Sequence, residues 1–139
     1  MAKVKQINHV AVVVADIQIA LKFWQDALGI PLENVEDVPA QKAKVAFLPV
    51  GAGEIELVQP TDADSGTGKF LQERGGGMHH LCLEVDDIAG MLAQLKQKGV
   101  RLINEEPIEM PGRKMAFIHP KSAGGVLVEL YEITNQWVG

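Results

Sequence analysis

With one cysteine, Cys82, in 139 residues, the chain has no internal disulfide to close, so the fold depends on a packed core. There is no apolar run long enough to span a bilayer. The opening Met1-Ala2-Lys3-Val4-Lys5 is not an apolar stretch leading to a cleavage site, so no secretory signal is expected. Nor is there a dense basic face. Lys3/Lys5, Lys42/Lys44, Lys96/Lys98 and Arg113/Lys114 are scattered along a chain of net charge -5, which argues against nucleic acid as a partner. These absences point to a cytoplasmic protein that binds no membrane. What is present is ordinary for one globular domain, with 47% hydrophobic and 22% charged residues.

The chain repeats itself. Ile7-Asn8-His9-Val10-Ala11-Val12-Val13-Val14-Ala15-Asp16-Ile17 lies over Met78-His79-His80-Leu81-Cys82-Leu83-Glu84-Val85-Asp86-Asp87-Ile88 without a gap. Each segment reads as a strand ending at an aspartate that caps a helix. The first helix is expected from Ile17 to Leu28, with Ile17, Ala20, Leu21, Trp24 and Leu28 as its stripe. The second is expected from Ile88 to Lys98, with Ile88, Met91, Leu92 and Leu95. Gly29 and Gly99 mark their ends. Lys44-Val45-Ala46-Phe47 then lies over Lys114-Met115-Ala116-Phe117, and Glu56-Leu57 over Glu129-Leu130. Turns at Gly51-Ala52-Gly53 and Gly124-Gly125 precede the final strands. The fold class is α+β, one domain of two tandem βαβββ modules, about 5–60 and 78–132. A linker, 61–77, carries a short helical piece around Lys69 to Arg74 and a flexible Gly75-Gly76-Gly77 joint.

Two histidines and two glutamates fall at matching positions inside apolar strands: His9 with His80, and Glu56 with Glu129. A carboxylate in such a strand is costly unless paired or bound to a cation. A duplicated fold commonly sets its modules about a pseudo-two-fold axis, on which matched residues can converge. Two imidazoles and two carboxylates suit Co, Mn, Ni, Zn or Fe(II), with two octahedral positions left for substrate or water. A lone strand histidine is more often a core or surface residue, and a lone glutamate usually faces water. Four residues symmetric under one repeat favour the metal reading. His79 adjoins His80, but strand alternation sends the two to opposite faces.

From about Ile7 to Tyr131 the chain resembles the methylmalonyl-CoA epimerases of the vicinal oxygen chelate superfamily, which also includes glyoxalase I. The resemblance is carried by Asn8-His9-Val10-Ala11-Val12, Glu56-Leu57-Val58-Gln59-Pro60, Gly76-Gly77-Met78-His79-His80-Leu81-Cys82-Leu83-Glu84-Val85, and His119-Pro120-Lys121-Ser122 through Gly125-Val126-Leu127-Val128-Glu129-Leu130. It implies paired βαβββ modules, a divalent metal that is often cobalt, an acyl-CoA substrate epimerised at C2, and a homodimer. Carried over by position, the ligands are His9, Glu56, His80 and Glu129. The second ligand is Gln in some relatives; Gln59 lies near but does not match Glu129 under the repeat.

The C2 proton lies between a thioester and a carboxylate, and its removal builds charge that a metal would stabilise. Epimerisation needs proton transfer on both faces. The resemblance assigns one of these transfers to Glu129. Some relatives carry a second acid near the start of the third strand, where this chain has Ala43-Lys44-Val45-Ala46. Lys44, Lys114 and Glu56 are then the candidates for the second base, and a lysine would need its pKa lowered. Arg113, Lys114 and Lys121 are candidates for the CoA phosphates, and His119 for a supporting or structural role. Met110-Pro111-Gly112 reads as part of a long loop placed like a lid. Cys82 reads as buried and inert, and Phe23, Trp24 and Phe47 as core. The competing functions are a glyoxalase-type lyase on the same scaffold and a metal-free, antibiotic-binding member of the fold.

Overall fold

The apolar segments around the two histidines form the long strands β1 (Val4–Val13) and β5 (Gly77–Val85) in the computed structural model, which describes residues 1–134. The first half continues as α1 (Ile17–Leu21), a π turn (Lys22–Ala27), β2 (Asn34–Val38), β3 (Ala43–Val50) and β4 (Gly53–Pro60). After α2 (Gly66–Arg74), the second half gives β5, α3 (Ile88–Gln97), β6 (Ile108–Met110), β7 (Arg113–Ile118) and β8 (Val128–Ile133). This is the α+β arrangement of two tandem βαβββ modules. By its contacts the chain forms two compact units. One is His9–His79; the other is Met1–Asn8 together with the chain from His80 onward. Residues 1–8 are fastened in the latter by Ala2 N donating to Gln94 Oε1 (2.6 Å) and Lys3 N to Asp86 Oδ1 (2.8 Å).

The two units repeat each other in hydrogen-bonding detail. In the first, β1 and β4 are parallel, while β4–β3 and β3–β2 are antiparallel. In the second, β5 and β8 are parallel, while β8–β7 and β7–β6 are antiparallel. Asp16 Oδ1 caps α1 through Gln18 N and Ile19 N, and Asp87 Oδ1 caps α3 through Gly90 N. Gly29 and Gly99 end the helical segments at φ 81° and 79°. Each helix packs its apolar stripe on its own sheet: Ile17 and Leu21 on Ala46, Leu48 and Leu57, and Ile88, Met91 and Leu92 on Ala116, Ile118 and Leu130.

Several expectations are corrected. The first helical segment is not uniformly α-helical. Asp16 to Gly29 is one residue longer than Asp87 to Gly99, and the π turn takes up that extra residue so that both ends keep equivalent places. Its wider winding leaves Leu28 (53% exposed) outside the core to which it was assigned, and Phe23, off the buried stripe, is exposed as well. The linker helix starts at Gly66, capped by Ser65, three residues before the expected start. The glycine joint has a defined course: Gly75 closes α2, and Gly76, at φ 102°, passes so near Val13 that a Cβ would lie 2.8 Å from its carbonyl oxygen. Met110-Pro111-Gly112 is not a lid loop. Met110 pairs with Arg113, so Pro111-Gly112 is a tight two-residue hairpin turn, with φ 80° at Gly112.

A symmetric tether joins each helix to the end of its central strand. Gln59 Oε1 accepts from Ile17 N at 2.9 Å, and Glu132 Oε1 accepts from Ile88 N at 2.8 Å. Both satisfy an otherwise unpaired first-turn N–H. Gln59→Ala and Glu132→Ala are each expected to lower the unfolding free energy by about 1 kcal/mol, with a smaller loss for Glu132→Gln, which keeps an acceptor. Denaturant titration measures this; an unchanged midpoint for Glu132→Ala would show that the tether contributes nothing.

Candidate functional site

Strand register places the matched residues. In the first unit Ala11 pairs with Glu56 across the parallel β1/β4 ladder, and His9, two residues earlier, shares that face. His9 Nδ1 lies 3.4 Å from Glu56 Oε2. In the second unit Cys82 pairs with Glu129 across β5/β8, and His80, again two residues earlier, brings Nε2 to 3.1 Å from Glu129 Oε1. Across the antiparallel ladders, Phe47 pairs with Glu56 and Phe117 with Glu129, so an aromatic flanks each carboxylate. The Phe117 ring meets His80 edge-on at 5.9 Å.

The two pairs are buried in opposite senses. His9 is 1% exposed while the Glu56 side chain keeps 16% of its surface; Glu129 is 4% exposed while the His80 side chain keeps 14%. Each unit thus holds an imidazole and a carboxylate in contact, one member deep and one at the surface of the face. Such groups bind a cation or share a proton. The second unit adds a softer atom: Cys82, fully buried, has its sulfur within 4.8 Å of a Glu129 carboxylate oxygen. Ala11 takes the equivalent position in the first unit.

The neighbouring candidates fall elsewhere. His79 sets its ring against Phe70 at 5.0 Å. Gln59 uses its Oε1 on the helix tether. Lys44 and Lys114 are each three residues from the phenylalanine opposite a glutamate, so they lie on the helix side of their sheets, away from Glu56 and Glu129. This removes both lysines as the second base. Lys114 instead lines an open groove of about 490 Å³ beside α3, where the exposed pair Lys96–Glu105 meets at 2.7 Å. Hydrogen bonding in that pair holds the Glu105 carboxyl below its ordinary range and Lys96 above its own. His119 is structural: its Nδ1 accepts from Lys121 N at 3.1 Å and caps a short turn. The Gln59 and Glu132 tethers were not anticipated, although their equivalence under the repeat was there to find.

Comparison with known proteins follows the same lines. The Glyoxalase/Bleomycin resistance protein/Dioxygenase superfamily matches residues 8–117. The mitochondrial methylmalonyl-CoA epimerase of Mus musculus is 42% identical over 130 residues, covering 92% of this chain and 73% of that protein. The crystal structure of methylmalonyl-CoA epimerase from Mycobacterium tuberculosis superposes with a TM-score of 0.84 at 38% identity, covering 96% of this chain and 91% of that one. A variant Streptomyces coelicolor methylmalonyl-CoA epimerase in complex with 2-nitronate-propionyl-CoA gives a TM-score of 0.84 at 29% identity, covering 95% and 96%. No helix among the described residues is long and apolar enough to cross a membrane.

The face assignment has a direct consequence. Lys44→Met and Lys114→Met are expected to keep turnover within a few-fold of the parent, whereas loss of a true acid or base costs about 100- to 10,000-fold. Steady-state rates decide, and a loss of that size in either variant would contradict the assignment.

Proposed function

The chain belongs to the methylmalonyl-CoA epimerases, isomerases of the glyoxalase superfamily, and on that premise we propose that it interconverts the (R) and (S) epimers of methylmalonyl-CoA at one divalent metal held by His9, Glu56, His80 and Glu129. The observation that carries the proposal is the matched imidazole–carboxylate contact in each unit, 3.4 Å and 3.1 Å, at the same point of the repeat. The donor set fits the group: two borderline nitrogen ligands and two hard carboxylates suit Co, Mn, Ni, Zn or Fe(II). Among these, the resemblance to the epimerases points to cobalt. Glu56, in place of the glutamine of some relatives, adds negative charge to the set. When bound, the cation supplies Lewis-acid stabilisation of the charge that develops on the thioester oxygen.

The chain's own residues move the proton. Glu129 takes the C2 proton of one epimer, leaving an enolate delocalised over the thioester. Reprotonation from the other face gives the second epimer and requires an acid there. With the lysines on the helix side of their sheets, Glu56 is the remaining candidate, and it shares its face with His9. His9 and His80 orient the two carboxylates; Phe47 and Phe117 shield them from water. The same proposal makes the enzyme a cytoplasmic homodimer acting on a dicarboxylic acyl-CoA ester.

In heavy water the protein is expected to exchange the C2 hydrogen of methylmalonyl-CoA for deuterium, and a chelator is expected to stop it. Glu129→Gln keeps the size but not the base, and is expected to lose about 100- to 10,000-fold in exchange rate. Exchange undiminished by chelator would remove the metal from the reaction. Elemental analysis supplies a separate check: His9→Ala and Glu129→Ala are each expected to be purified with little metal, and full occupancy in both would overturn the ligand set.

A further inference from the structure

The two units match in backbone but diverge in one place on the face that carries the glutamates. In the first unit this region is apolar: Ala11, Val13, Ala43, Val45 and Val58 are all buried, and α2 closes over them with Phe70 and Leu71. Under the repeat the corresponding positions in the second unit are Cys82, Glu84, Arg113, Met115 and Tyr131. Alternation keeps Arg113 and Met115 on the same face as Phe117, and Tyr131 on the same face as Glu129. A buried apolar patch has become a polar one, beside the His80–Glu129 pair.

The charges in this patch are not simply paired with each other. Glu84, 8% exposed, accepts from Gln6 Nε2 (3.2 Å) and Asn8 Nδ2 (3.3 Å) and meets Lys5 Nζ at 3.5 Å, all within the second unit. Arg113 stacks its guanidinium over the Tyr131 ring at 5.2 Å. It forms no ion pair among the described residues, and its Nε is buried without an acceptor. A stack alone does not account for this, because a buried guanidinium N–H left unpaired is costly. At the repeat position of Arg113, Ala43 serves packing in the first unit. A planar donor fork held over an aromatic ring is suited to a carboxylate or phosphate. Along β7, Arg113 is about 13 Å from Phe117, the partner of Glu129, at roughly 3.3 Å per residue. The body of an extended substrate bridges such a distance; a single small ion does not.

We propose that Arg113, positioned by Tyr131, is the residue of the second unit that recognises an anionic group of the substrate, a carboxylate or phosphate, while the His80–Glu129 end of the same face carries the chemistry. The proposal deepens the epimerase reading and rests on it for the substrate. Arg113→Ala is expected to raise KM about 10- to 100-fold with kcat within a few-fold, and Arg113→Lys to show a smaller rise. Two substrates separate the sources of the anion. A KM rise on both methylmalonyl-CoA and methylmalonyl-pantetheine identifies the acyl carboxylate; a rise on the CoA ester alone identifies a phosphate. Both results uphold the site. An unchanged KM on both substrates, in a variant with the parent's circular dichroism, overturns it. Arg113→Lys serves alone if Arg113→Ala does not fold. A readout independent of turnover separates this proposal from the epimerase reading. Malonate and inorganic phosphate are tested for their effect on the thermal midpoint of parent and variant. A rise in the parent that is reduced in the variant upholds the anion site even without epimerase activity, and an equal shift in parent and variant, or none in either, overturns it.

Discussion

Glu129 is 4% exposed and has His80 Nε2 at 3.1 Å; in the other unit the nearly buried His9 has Glu56 at 3.4 Å. A carboxylate taken out of water beside an imidazole is tolerable only when the contact is held closely. Much of each unit serves that requirement. The parallel ladder brings the histidine strand beside the glutamate strand, and the antiparallel neighbour sets a phenylalanine against the carboxylate. Three residues further along, Gln59 or Glu132 turns to the opposite face and ties the strand to a helix N-terminus. A one-residue slip in that strand would send the glutamate to the helix side and the tether to the other. The tether therefore helps fix the register on which the pair depends.

Much of this was legible from residue spacing. The gapless match around His9 and His80 defined the repeat. The two aspartate caps, the two terminal glycines and the alignment of Glu56 with Glu129 gave element order and the positions of the paired residues. The one-residue difference in the helical segments was also present in the sequence, but nothing local says whether an extra residue is absorbed by a loop or by a π turn. Leu28 was misplaced for that reason: a stripe drawn with α-helical spacing drifts off the buried face once the winding widens. The second-base role considered for Lys44 and Lys114 failed for a different reason. Which face a strand residue occupies follows from counting to a partner in the ladder, and that partner is fixed only when the strands pair. The lid expected at Met110-Pro111-Gly112 gave way to a hairpin because β6 has only three residues and lacks a clear pattern of its own.

The halves remain equivalent where they must bend, cap and pair, and differ on the face that carries the glutamates. Lys42 and Gly112 both adopt positive φ at matched positions, and Thr61 N and Thr134 N donate to their carbonyls in the same way. Against that likeness, the exchange of Ala43 for Arg113, Val13 for Glu84 and Val58 for Tyr131 separates a unit that closes its own core from one that presents polar groups. In this duplicated chain the imidazole–carboxylate pairs are kept in both halves, while the departures on the same face fall beside only one of them.

The central claim is that two separate imidazole–carboxylate pairs serve one metal ion. Pulsed electron paramagnetic resonance on protein loaded with Mn(II) counts the imidazole nitrogens coupled to each ion, alongside the number of ions bound per chain. The account predicts one ion per chain coupled to two imidazoles, and little bound ion in His9→Ala. Two ions per chain, each coupled to a single imidazole, would show that the pairs act separately and would contradict it.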